Sequence, residues 1–259
     1  MQTCPNCFHQ YAQELGLCPR CGFVPGDNPQ EPYCLAPGHL LNGRFSIGLT
    51  EHILPWGICY KALDTAEQRL VSVWEFFPQD FVYRPETVVI PKEARQKDLF
   101  DREKEDFAAR AKFLSSHDLL SFPKVLFAFS ENNTEYAVTE MFSGRMYHLP
   151  TEPPKSANAI DTVITSFLPL FHDLDLLSLQ GGFVEEISPD SLWETESGVI
   201  TSLFLQSLIL PEMEQHSEGH KAVFIVLKEL VTVQKTIYSL GATLYTIFTG
   251  NTLPVQSDG

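Results

Sequence analysis

Four cysteines near the start of the chain stand as two CxxC pairs, CPNC at 4–7 and CPRC at 18–21, with Gly22 directly after the second pair. Each CxxC bends into a tight knuckle whose two thiolates converge, and two knuckles together make the closed tetrahedral S4 site that structural Zn2+ prefers. The expected ligands are Cys4, Cys7, Cys18 and Cys21. A redox pair and two unrelated CxxC motifs are the competing readings, but paired CxxC at this spacing is specific to metal. Four thiolates leave no open coordination position, so the metal is expected to be structural rather than catalytic. So short a module cannot bury an adequate core, and metal binding would supply most of its folding energy. Cys34 and Cys59 have no neighbours in sequence that would activate a thiol and read as ordinary core or surface residues. His216 and His220 share an i, i+4 spacing but read as part of a solvated polar loop. No Ser/His/Asp or Cys/His signature with a glycine elbow is present.

The elements that would position further chemistry must come from the rest of the 259 residues, of which 44% are hydrophobic, enough for a packed globular protein. Eighteen Lys and Arg stand against 33 Asp and Glu, a net charge of −15 that repels nucleic acid and anionic lipid surfaces. From Thr151 onward there are 14 acidic residues, four Lys and no Arg, so this half carries −10 of the total. Residues 1–24 hold only Arg20 as a strong cation, where a nucleic-acid-binding ribbon would show a basic stripe. The N-terminus lacks a signal-type apolar run and no stretch reads as a membrane span, so a cytoplasmic location without membrane insertion is expected.

Residues 25–40, rich in Pro and Gly, read as a linker between a ribbon at 1–24 and a larger domain. Alternation predicts strands at Phe45–Leu49, Gly57–Leu63 and Leu70–Phe76, a helix over Asp101–Leu114, and strands at Lys124–Phe129 and Glu135–Met141. Further on, a helix over Ala157–Leu179 places Ile160, Val163, Ile164, Phe167, Phe171 and Leu174 at core spacing, with a kink expected at Pro169.

The order β-β-β-α-β-β resembles the N-lobe of bacterial Ser/Thr protein kinases, and five ordered blocks carry the resemblance. These are GRFSIGLTEHILPWGICYKALD from Gly43, VSVWEFFP from Val71, FLSSHDLLSFPKVLFAFSENNTEYAVTEMFSG from Phe113, EEISPDSLW from Glu185, and IYSLGATLYTIFTGNTLP from Ile237. The second is similar to the family's VAIKEFFP, the strand that carries the nucleotide-anchoring Lys. The resemblance implies an α+β, bilobal protein-kinase-like fold behind a zinc ribbon, with an N-lobe at 41–145. The C-lobe at 146–259 would be truncated, ending after the F helix.

Kinase chemistry is positioning and charge neutralisation around a triphosphate, so it depends on a few irreplaceable residues. On this resemblance the three glycine-loop positions fall on His52, Leu54 and Gly57, with Pro55 and Trp56 between the last two. The anchoring Lys falls on Trp74 and its helix Glu partner on Arg110. The catalytic Asp falls on Glu186, the metal-holding Asn on Ser191, the DFG Asp on Phe204 and the F-helix Asp on Thr236. These replacements imply a pseudokinase that binds no ATP and acts as a protein-binding scaffold or regulatory subunit. Its expected partner is a protein, with basic character matched to the acidic half, or a second copy docked through the F helix. The alternative is an atypical nucleotide-binding protein with residual phosphotransfer through Glu186.

Overall fold

The computed structural model describes residues 1–26, 30–141, 144–184, 187–195, 198–201, 205, 208–210 and 221–251. The chain divides into two compact units, one of Met1–Ser115 with Lys124–Met141, the other of Ser116–Pro123 with Phe142–Gly259.

The first unit opens with two short antiparallel strands, β1 (Gln2–Thr3) and β2 (Gln10–Tyr11). It continues into β3 (Leu40–Leu41), β4 (Phe45–Leu54), β5 (Gly57–Asp64) and β6 (Arg69–Phe76). A minor hairpin, β7 (Val82–Tyr83) with β8 (Ile90–Pro91), precedes helix α1 (Lys97–Ser116), and β9 (Val125–Glu131) and β10 (Thr134–Glu140) close the unit. The principal sheet is antiparallel in the order β3-β4-β5-β6-β10-β9. The predicted elements are all present, but β4 runs five residues further than its alternation suggested, to Leu54. It does so through two register breaks, one between Ile47 and Thr50 and one between Thr50 and His52. Such bulges bend a strand and re-aim its side chains. Phe100, Phe107, Arg110, Ala111 and Leu114 form the buried face of α1.

Part of the stretch read as a linker is packed. Leu35 is buried, its N–H donates to the Tyr60 hydroxyl at 3.1 Å, and the Tyr33 ring stacks on Phe77 at 5.6 Å. Gly38 N–H donates to Ile47 O, and Ile47 N–H to His39 O. Proline and glycine here set turns that lie against the sheet rather than a free tether.

The second unit contains β11 (Gly144–Met146), α2 (Ala157–Leu179), β12 (Phe183–Val184), β13 (Leu192–Thr195), β14 (Gly198–Thr201), β15 (Leu208–Ile209) and α3 (Lys221–Thr249). Strands β11-β13-β14 form one small sheet and β12-β15 another. Helix α2 has the predicted bounds, starts on a Ser156 side-chain cap and runs through Pro169. Its buried face differs from the expected one. Phe167, Leu170, Asp173 and Leu177 are inside, while Ile160, Ile164 and Leu168 are exposed. The helix is apolar on most sides, so periodicity does not choose between faces. Asp173 does, because its Oδ2 accepts the Ser121 N–H at 2.6 Å. By length and composition alone α2 is also apolar enough to cross a membrane, a test that core helices of soluble proteins pass as well.

Candidate functional site

The four ribbon cysteines come together. Their sulfurs all lie within 4.8 Å of one another, with Cys4 to Cys21 and Cys7 to Cys18 both at 3.6 Å. Tetrahedral thiolate ligation of zinc requires sulfurs about 3.8 Å apart, so the residues fit such an ion. The two knuckles share one backbone design. Cys4 N–H donates to His9 O and Phe8 N–H to Cys4 O; Cys18 N–H donates to Phe23 O and Gly22 N–H to Cys18 O. The residue after each pair is left-handed, Phe8 at φ 58° and Gly22 at φ 74°. Burial pushes the Cys7 thiol up to about 12. Burial acts the same way on Cys18, but the Cys21 and Arg20 backbone N–H groups pointed at its sulfur bring it down to about 7. Among the described residues no other group of three or more His, Cys, Asp or Glu is placed to hold a metal ion.

In the principal sheet, Trp74 and Trp56 are both buried, and their rings stack at 5.8 Å and 14°. Trp56 also meets Phe107 of α1 at 6.1 Å, and Phe76 meets Phe100 and Phe107, both at 5.7 Å. The Trp74 indole N–H donates to Thr139 Oγ1 at 3.2 Å, so the polar edge of the ring is satisfied inside the lobe. Pro55 and Trp56 form the turn of the β4–β5 hairpin, in which Leu54 pairs with Gly57. The turn's carbonyls are occupied: Phe77 N–H donates to Trp56 O, Gln79 N–H to Pro55 O and the Gln79 side chain to Leu54 O. The surviving glycine has a packing reason, since a Cβ at Gly57 would stand 2.5 Å from Glu75 O. His52 lies beyond the second bulge, paired with Cys59, and Arg110 is buried on α1.

One residue beyond Trp74, on the opposite face of the strand, Glu75 is fully buried. Its carboxylate accepts from the Tyr60 hydroxyl at 2.9 Å, the Tyr136 hydroxyl at 2.5 Å and Arg84 Nη2 at 2.5 Å. The Arg84 guanidinium lies 4.9 Å from the Phe77 ring centroid. Burial works against the Arg84 charge, and the Glu75 carboxylate beside it raises the pKa above its ordinary value. This buried ion pair was not anticipated from sequence; a charged residue flanked by apolar strand positions was its only signal.

In the second unit, Ser191 spends its hydroxyl locally, donating to Ser188 O at 2.7 Å and accepting from Ser188 N–H at 3.1 Å. The segment before it is tied to α3 by hydroxyls. Thr236 Oγ1 donates to Val184 O, Ile187 N–H donates to Ser239 Oγ at 2.9 Å, and Thr243 Oγ1 donates to Ile187 O at 3.1 Å. Thr236 therefore ties α3 to the end of β12 through a hydroxyl. Glu186, Phe204, His216 and His220 lie outside the described residues.

Two of the solved structures that resemble the chain show the likeness. One, described as the apo form of PpkA-294, aligns with TM-score 0.67 and 22% identity over 86% of this chain and 81% of that one. The other, the kinase domain of PF14_0431, aligns with TM-score 0.59 and 12% identity over 87% of this chain and 70% of that one. The fold is protein-kinase-like. No protein-family model matches the sequence, and no curated protein matches it either.

Proposed function

We propose that the chain is a catalytically inactive kinase-like protein that holds one structural Zn2+ and works by binding another protein. The observation that carries the reading is the Trp56–Trp74 stack. It supports the reading because Trp74 stacks on Trp56, which meets Phe107 of α1, and the kinase resemblance sets an ammonium and an open glycine loop at these positions. Arg110, the aligned position for the Lys partner, cannot complete an anionic half of the pair. The hydroxyl of Ser191 is engaged with Ser188, which supports an architectural role for that loop.

A protein partner is supported by the described part of α3. Its inner face is Thr236, Leu240, Thr243 and Ile247, and its outer face leaves Ile237 66% and Tyr238 68% exposed. Exposed large apolar side chains on an acidic unit favour an amphipathic partner segment carrying Lys or Arg.

The test is unfolding of the purified chain in the presence of ATP with Mg2+ or Mn2+, alongside a phosphotransfer assay and metal content. The expected result is no shift in unfolding temperature, no transfer and one zinc per chain. A saturable shift with detectable transfer would replace this reading with the phosphotransfer alternative and make Glu186 the first residue to substitute.

A further inference from the structure

The ribbon touches the principal sheet at β4 and β5 through residues that are not metal ligands. Gly48 and Leu49 sit in the first bulge of β4, where the ladder to β5 skips from Ile47 to Thr50. The Leu49 N–H donates instead to Pro5 O of the first knuckle, at 3.0 Å. A Cβ at Gly48 would stand 2.3 Å from Pro5 O and 2.7 Å from the Phe8 ring, so this position is glycine to admit the ribbon. Phe8 supplies the complementary signal. It takes the left-handed conformation that Gly22 takes in the second knuckle, where a bulky residue is strained and glycine is not. The ring that makes Phe8 an awkward choice is the group that sits over Gly48.

Asn6 links the metal site itself to the sheet. Its Nδ2 lies 3.7 Å from the Cys21 sulfur, and its Oδ1 accepts from Lys61 Nζ of β5 at 3.3 Å. Four thiolates around a divalent ion carry a net charge of −2, and outer-sphere donors of this kind orient and stabilise such ligands. Lys61 brings from the sheet a cation that the ribbon, with Arg20 alone, is short of.

We infer that the ribbon is a metal-dependent clamp on its own sheet. With metal bound, Pro5, Asn6 and Phe8 hold the Gly48–Leu49 bulge and with it the part of β4 that leads to the Pro55–Trp56 turn. When metal leaves, the knuckle loses its shape, the three contacts go together, and the hairpin loosens. The ribbon's first partner is therefore the chain's own β4–β5 pair, and metal occupancy is read out at the turn that carries Trp56. This inference rests on the metal-binding reading of the four cysteines.

The experiment is amide hydrogen exchange on the full chain, followed by mass spectrometry, in three forms: zinc-loaded, zinc-stripped with a chelator, and Phe8→Gly loaded with zinc. Glycine at position 8 relieves the backbone and leaves all four ligands, so this variant folds and keeps its metal. Exchange over residues 46–60 is expected to rise roughly tenfold or more on stripping, to return on adding Zn2+, and to be raised in Phe8→Gly despite full metal content. Zinc bound but exchange over 46–60 unchanged by its removal overturns the clamp and leaves the metal site standing. A Phe8→Gly protein with metal bound and wild-type exchange overturns it too. A wild-type chain that takes up no zinc removes the metal reading, and the clamp with it.

Discussion

Trp74, which the proposed reading sets at the position of a nucleotide-anchoring Lys, has the energetics of a core residue. It is buried, stacked and hydrogen-bonded through its indole nitrogen. Trp74→Lys is expected to destabilise the first unit by about 3–5 kcal/mol, as large core truncations do, without creating an ATP-dependent shift. Denaturant unfolding with and without Mg-ATP checks both halves. Asp64 makes a different prediction. Its carboxylate takes paired bonds from Arg44 Nε and Nη2, both 2.7 Å, and these hold its pKa below the ordinary 3.8. A depressed carboxylate pKa stabilises the folded state above the unfolded value and loses that contribution as pH falls through the folded one. Asp64→Asn is therefore expected to cost stability near neutrality and to converge on the wild type as pH falls through the lowered folded-state pKa; unfolding midpoints measured from neutrality into the acid range test this. Of these residues, the cysteines and Trp74 were legible in the sequence because each belongs to a local motif. Gly48, Phe8 and the Glu75–Arg84 pair were not, because their meaning depends on which strands meet.

At the scale of elements, α3 anchors the loop after β12 through Thr236, Ser239 and Thr243, three hydroxyls at helical spacing on one face. Thr236→Val leaves the Val184 carbonyl without its donor inside the second unit. The expected loss is about 1–3 kcal/mol, while Thr236→Ser is expected to restore most of it; thermal unfolding of the two variants distinguishes them. Helix α2 shows what periodicity can and cannot give. Its ends are fixed by the Ser156 cap and by the turn beyond Leu179, both local in sequence. Its inward face is decided by Asp173 receiving the Ser121 N–H and by Gly198, whose missing side chain admits Ser166 O and Pro169. Those partners come from 25 or more residues away in the chain, so Ile160 and Ile164 passed for core residues from the sequence pattern alone.

For the whole molecule, the net charge of −15 argues against polyanion partners, and the −10 carried after Thr151 concentrates the effect. The chain is expected to pass through immobilised heparin and to leave duplex DNA unshifted at about 0.15 M salt, and retention of either kind would contradict the acidic-surface reading. Strand order and helix bounds were readable because five sequence blocks follow one another in a known order; the packing of the ribbon against β4 was not, since nothing in CPNC announces the glycine it meets. The near-parallel Trp56 and Trp74 rings have one more consequence. Two indoles this close share their excited states, so the folded lobe carries its own chromophore pair, and its coupled circular-dichroism band should vanish whenever the hairpin turn lifts away from β6. The closed state of this protein thus announces itself optically, with no label and no ligand.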